Sequence, residues 1–316
     1  MLYGKPNELY ERAVRTHVKH GQKLGYPVHV LRQEITGGYW NKPAYILSLV
    51  VNELAKPPGE RTQWLMWVDA DSIIINQLLP VEIFLPPEDF SNVHFIGNKD
   101  QNGLNTGIFF IHVHEWSVRM LTKAMAFPMF HPDIDLGVSM DQVAMAYVFN
   151  ETEFRSGVLY QPRPWFNTYE FHHGYEGKKG DLLVHFPGLE DDRWRHMSSW
   201  LTTVETKPHE WDMELEKTTY PELISNYWKD LRDAREALIT AEKIAPDYED
   251  AAIVAVNDAY WTLRNAIEAE ADRMVAVTTA RERLVGSIEA MKAAGVGLKS
   301  NSIAESDNSP DSSTGG

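Results

Sequence analysis

Five apolar residues that run straight into a pair of aspartates set the terms for this chain. Residues 64–68 read Trp-Leu-Met-Trp-Val, and Asp69-Ala70-Asp71 follows at once. An unbroken apolar run of this length reads as a strand covered on both faces, as in the middle of a largely parallel sheet. Side chains alternate along an extended backbone, so Asp69 and Asp71 point the same way. Two carboxylates side by side at the end of a buried strand repel each other unless a cation or a proton sits between them. Oxygen ligands of this kind suit a hard divalent ion such as Mn²⁺ or Mg²⁺. In open α/β sheets, ligands bind beyond the carboxyl ends of the strands. The plain alternative is a strand that stops at polar residues, and the D-x-D pattern alone does not separate the two.

With 316 residues the chain can hold one large domain, or a domain and an appendage. Its net charge of −15 argues against a broad basic face for nucleic acid, though not against a local basic pocket for a phosphate. There is no cysteine, hence no disulfide framework and no thiolate metal site. No apolar segment approaches the ~20 residues that span a bilayer, and the N-terminus carries no signal-peptide pattern. One glycosylation sequon, Asn150-Glu151-Thr152, is present.

Residues 7–24 have helical periodicity, with Asn7 as the cap and Gly25 as the stop. A short strand is expected over 27–31. A chain that opens on a helix and then a strand implies a strand before both, ending near Leu2-Tyr3, and that strand is nearly absent. A second helix over 44–54 follows Trp40-Asn41-Lys42-Pro43, with proline in its first turn. Backbone donors at its start, with Lys42 beside them, can face a phosphate; the alternative is an exposed lysine. Strands are expected over 93–97 and 108–112, joined by an amide-rich loop. Asn102 and Asn105 in that loop offer donors and acceptors suited to sugar hydroxyls, or simply an Asn/Gly turn. Helices follow over 114–127 and 139–149, the second with Ser139 as its cap and Asp141 in its first turn. The aromatic stretch 162–173 is either a surface on which sugar rings stack or a lid on the core. A strand over 181–184 ends at His185. That histidine gains a metal role only if it meets Asp69 and Asp71 in space.

Beyond residue 220 the pattern becomes wholly helical. A long helix is expected over 248–294, with apolar residues in two heptad series. One contains Ile253, Tyr260, Ile267, Met274 and Ile288; the other contains Val256, Leu263, Val277, Leu284 and Met291. Such a seam makes a coiled coil or a helical hairpin. It packs back on the preceding helix and the domain, or joins two chains into a homo- or hetero-oligomer. Residues 298–316 have the composition of a disordered tail.

Taken together, Trp40-Asn41-Lys42-Pro43-Ala44, Val68-Asp69-Ala70-Asp71, the stretch from Asn102 to Gly107, Asp141-Gln142 and His185-Phe186-Pro187-Gly188 carry a resemblance. In this order and spacing, the sequence resembles the galactosyl-, mannosyl- and xylosyltransferase family of fungal and plant Golgi enzymes (Gma/Mnn10-like, glycosyltransferase family thirty-four), from about Leu2 to Trp228. The resemblance implies an α/β chain with a GT-A, Rossmann-like nucleotide-sugar domain over 1–228 and a mostly parallel sheet. The helical extension over 229–297 and the tail over 298–316 lie outside it. It also implies a retaining, Mn²⁺-dependent transfer of a hexose from UDP-galactose or GDP-mannose to a mannose-containing glycan, in the Golgi lumen. Carried over by position, Asp69, Asp71 and His185 would hold the metal, and Asp141 and Gln142 would lie beside the donor sugar. Asn102 and Asn105 would line its pocket, and Lys42 would approach the nucleotide. The family places a basic residue soon after the histidine for the diphosphate. Here Glu190-Asp191-Asp192 stands there, so Arg193 or Arg195 would serve. Members carry a membrane anchor, and none precedes Met1.

Two other readings are compatible with parts of the sequence. One is a glycosyltransferase-like scaffold subunit with impaired catalysis. The other is a phosphatase whose nucleophile is an aspartate of the D-x-D, although the downstream lysine and acidic pair it needs are not convincingly present.

Overall fold

The computed structural model describes residues 2, 4–244 and 250–296. The tail expected over 298–316 lies outside the described residues. In chain order the elements are α1 (Glu8–Leu24), α2 (Asn41–Leu54), β1 (Trp64–Val68), β2 (Ser72–Ile74), β3 (Phe95–Asp100), β4 (Gly103–His112), α3 (Glu115–Phe130), α4 (Met140–Phe149), α5 (Thr152–Arg155), β5 (Val158–Tyr160), β6 (Glu170–Phe171), β7 (Gly174–Tyr175), β8 (Leu183–His185), α6 (Asp192–Thr206), α7 (Tyr220–Glu242), α8 (Ala251–Glu270) and α9 (Met274–Ala293). The α/β class and the helical C-terminal part are as expected. None of the described helices is long and apolar enough to cross a membrane.

Local signals act where they were read. The Asn7 side chain accepts hydrogen bonds from the backbone N–H groups of Leu9 and Tyr10, and Gly25 ends α1 at φ +85°. Ser139 precedes α4 but makes no capping bond. The amide-rich stretch is mostly strand rather than loop. β3 and β4 form a hairpin that turns at Gln101-Asn102, with Gly103 at φ +97° where a side chain would strain.

The main sheet has the order β1-β4-β3-β5. It corrects the expectation of a mostly parallel sheet, since β1/β4 and β3/β4 are antiparallel and only β3/β5 is parallel. The physical reason is the tight hairpin, which can join only antiparallel strands. It also corrects the place of β1, which lies at the edge of the described sheet and is largely half-buried. The strand covered on both faces is β4. Its Phe109 and Ile111 pack with α2, α3 and α4, while Ile108 and Phe110 face Phe84, Phe166 and α7. Residues 27–31 form no ladder with β1. They lie across an apolar cavity of about 240 Å³ that also borders Trp64, Met66 and Val68.

A small ladder decides the site. β2 and β8 pair antiparallel, with Ser72 opposite His185. The pair is clamped by α1 and α6 through Ala13, Ile73, Val184, Phe186, Met197 and Leu201.

The long C-terminal helix is in fact two. The chain breaks at residues 271–273 and returns as a hairpin, although no proline or glycine marks the place. The seam faces inward. Ile253, Val256, Leu263, Val277, Leu284, Ile288 and Met291 are buried in one cluster with Leu231 of α7 and with Ile96 and Phe110 of the sheet. Docking supplies the reason for the break. Lys99 at the end of β3 donates to the Ala269 carbonyl and lies 4.2 Å from the centre of the Tyr160 ring. Asp272 is half-buried in the turn, and its desolvation raises its pKa against the pull of Lys99.

Candidate active site

The β2–β8 register brings the acidic pair and the histidine together. One ligand atom each from Asp69, Asp71 and His185 lies within 4.8 Å of the others. His185 Nε2 is 3.4 Å from Asp71 Oδ1. The other ring nitrogen, Nδ1, lies 2.7 Å from Asn167 Oδ1. An amide oxygen only accepts, so this contact places the proton on Nδ1 and leaves the Nε2 lone pair aimed at the carboxylates. The arrangement leaves no room behind the ring. A Cβ added to Gly107 would meet His185 Cε1 at 2.5 Å, so glycine is required there by contact rather than by conformation.

Asn167 was not singled out in the sequence, because one amide in an aromatic stretch gives no periodic signal. It is fully buried and donates to Asn98 Oδ1 at 2.8 Å and to Asn105 Oδ1 at 3.0 Å. Asn105 donates in turn to Asp100 Oδ2, which also accepts from the Tyr169 hydroxyl. Asn105 is thus part of the site. Asn102 is not brought to it: it is exposed at the hairpin turn, where its backbone N–H binds Asp100.

Two cations face three carboxylates. Lys42 is not an exposed lysine; it is 6% exposed. Its Nζ donates to the Thr106 carbonyl and lies 3.2 Å from Asp141 Oδ2 and 3.5 Å from Asp69 Oδ1. Burial opposes the lysine charge, but Asp69 and Asp141 outweigh it and raise the pKa. On the other side, Arg193 reaches within 3.3 Å of Asp71 Oδ2 and donates to the Tyr10 hydroxyl. Arg195 does not reach the site and lies by Asp192. Burial works against the Asp71 carboxylate, yet Arg193, and His185 when its Nε2 also carries a proton, hold its pKa below the ordinary range. Gln142, next to Asp141 on α4, accepts from the Thr106 N–H at 3.0 Å. The first turn of α4 is therefore tied to the start of the β4 stretch that leads to Gly107.

Whether this set fits a divalent ion can be judged from its donors. Two carboxylates and a neutral imidazole converge, the imidazole is oriented from behind by an amide, and a glycine leaves it room. That donor set fits a divalent metal ion.

A sequence model of the galactosyl transferase GMA12/MNN10 family matches residues 87–193. That span includes Asp141, Gln142, Asn167, His185 and Arg193. An alpha-1,2-galactosyltransferase of Schizosaccharomyces pombe is 26% identical over 205 residues, which are 54% of this chain and 52% of the relative. The chain therefore spans about half the length of the curated relative it matches. A solved glycosyltransferase involved in glycosylation of the major capsid of PBCV-1 aligns with 62% of this chain and 96% of its own, at 16% identity and a TM-score of 0.46. The resemblance expected from the motifs is borne out: residues 87–193 match the galactosyl transferase GMA12/MNN10 family.

Proposed function

We propose that the chain is a metal-dependent, retaining glycosyltransferase that moves a hexose from a nucleotide sugar to a mannose-containing glycan. The observation that carries the reading is the convergence of Asp69, Asp71 and His185 across the β2–β8 ladder. Those three residues would hold the cation. When bound, it would supply Lewis-acid neutralisation of a diphosphate leaving group. Arg193 stands beside Asp71 and can turn to the same phosphates, adding charge where the family's basic residue is missing.

Lys42 bridges Asp69 and Asp141 and so ties the acidic pair to α4, one cation between two carboxylates. Asp141 is 1% exposed and paired with Lys42, which suits a carboxylate that stabilises developing positive charge from a distance better than one that attacks carbon. Gln142, with its amide already oriented by Thr106, is the polar group for the exposed face of the donor sugar. Asn105 belongs to the pocket wall.

The relative's printed activity and the resemblance support UDP-galactose as donor, with GDP-mannose second, and a Golgi-lumen setting. Nucleotide release from both donors, measured with and without Mn²⁺, tests the reading. Turnover that needs no metal, or full turnover in Asp71→Ala, would overturn it.

The contact between Arg193 and Asp71 also favours a second reading, in which a guanidinium neutralises the acidic pair and the chain is a glycosyltransferase-like scaffold subunit. Calorimetry with UDP- and GDP-sugars separates the two, because a scaffold gives no heat of binding.

A further inference from the structure

We propose that the tip of the β6–β7 hairpin is the platform on which the acceptor glycan stacks, with Phe171 and His173 as its contact surface. The inference rests on the glycosyltransferase reading and adds to it a site for the second substrate.

The hairpin grows directly out of the candidate metal centre. The Thr168 carbonyl accepts from the His185 N–H at 2.8 Å, and Tyr169 bridges His185 in parallel. From there, aromatic rings follow one another outward. Tyr169 meets His185 edge-on at 5.6 Å and Phe171 edge-on at 5.8 Å; Phe171 then lies parallel to His173, at 5.3 Å and 3°. Burial falls along the series. Tyr169 is sealed, with Arg163 stacked over its ring, whereas Phe171 is half-buried and His173 is exposed.

The residues between them face the other way and are already occupied. Glu170 accepts from Trp200 and pairs with His196 on α6, and His172 pairs with Asp192 at the start of α6. The ribbon is therefore pinned to α6 by Glu170 and His172. On the other side Phe171 is half-exposed and His173 is exposed.

A pinned, parallel pair of rings beside polar groups suits one ligand chemistry. A pyranose ring presents a flat C–H face to an aromatic ring and hydroxyls to polar neighbours, and burying that face displaces water from both. The exposed His173 imidazole itself supplies a hydrogen-bonding partner at the rim. A nucleotide diphosphate would instead be drawn to the Arg193 guanidinium, which lies against Asp71 and Tyr10. Continuity with the metal centre through Tyr169 and His185 identifies the occupant as the sugar chain that receives the transferred hexose.

The test compares the native protein with Phe171→Ala and Phe171→Trp, using UDP-galactose and a mannotriose acceptor with Mn²⁺. The expected result is an acceptor KM raised about tenfold or more in Phe171→Ala, the loss of roughly one aromatic contact. The donor KM should shift less than twofold, and Phe171→Trp should restore the acceptor KM. An acceptor KM within twofold of native in a folded Phe171→Ala variant would overturn the platform while leaving the transferase reading intact. No turnover and no donor binding by the native protein would overturn that reading, and with it the acceptor role. If Phe171→Ala does not fold, saturation-transfer NMR of mannotriose on the native protein and on His173→Ala decides. Saturation lost in His173→Ala supports the platform, and equal saturation overturns it.

Discussion

Lys42 Nζ lies 3.2 Å from Asp141 Oδ2, and both side chains are shut away from solvent. A buried charge that loses its partner is far more costly than a pair that is never formed. Lys42→Met should therefore destabilise the protein by about 3–5 kcal/mol. Adding Asp141→Asn to that variant should recover a large part of the loss. Urea denaturation of the two single variants and the double variant measures this as a coupling. Simple additivity would show that the pair is not an energetic unit.

Asn167 should be worth more to the metal than its distance from the cation suggests. It sets which nitrogen of His185 is free, and partners of this kind change metal affinity by about 10–100-fold. Asn167→Ala should weaken Mn²⁺ binding in that range. Gly107→Ala should weaken it too, by pushing the imidazole from its seat. Mn²⁺ titration followed by electron paramagnetic resonance gives both numbers. Native affinity in both variants would mean that His185 is not a ligand.

Removing the metal should leave a folded protein with no transfer activity. Lys42 and Arg193 stand beside the acidic pair and relieve most of its repulsion without a divalent ion, although Lys42 is shared with Asp141. Chelation by EDTA is expected to abolish nucleotide release and to lower the thermal midpoint only slightly. A collapse of the far-ultraviolet dichroism on chelation would contradict this.

Acid should weaken the fold through histidines at the opposite end of the sheet. His94 and His112 share a contact at 3.0 Å between their Nδ1 atoms, and His94 also stacks on His114. Burial, with neighbouring imidazoles assisting, depresses the pKa of both His94 and His112 from 6.5 to about 4. Between those pH values the unfolded chain binds more protons than the folded one, so stability rises with pH. It is full above about 6.5 and is lost as pH falls toward 4. His17 and His20 are depressed as well, chiefly by burial, and act in the same direction. His112→Phe, which keeps a ring against Trp64, should flatten part of the slope. Urea midpoints at several pH values will show it, and an unchanged slope would exclude the pair as a source.

The C-terminal hairpin should unfold together with the sheet. Leu284 is fully buried in the cluster that also holds Phe110. Leu284→Ala should cost about 2–5 kcal/mol. Fluorescence and circular dichroism should report one coincident transition. Two separated transitions would mean that the extension over 229–297 is an independent domain.

Much of this was legible in the sequence. The span and caps of α1, the inward seam of α8 and α9, the D-x-D at a strand end and the histidine after a short apolar strand all rest on patterns within a few residues. Caps, periodicity and alternation act through neighbours in the chain, so the sequence contains them. The same holds for the apolar character of β4, though which apolar run would be central and which at the edge did not follow.

Tertiary structure alone decided the rest. Strand direction in the main sheet, the break at residues 271–273, the burial of Lys42 and the place of Asn167 behind His185 come from contacts between distant segments. The hydrogen bond from Lys42 to Thr106 spans 64 positions, and the one from Asn167 to Asn98 spans 69. No local pattern encodes such a pairing, because its energy exists only once both segments have been brought out of water and against each other.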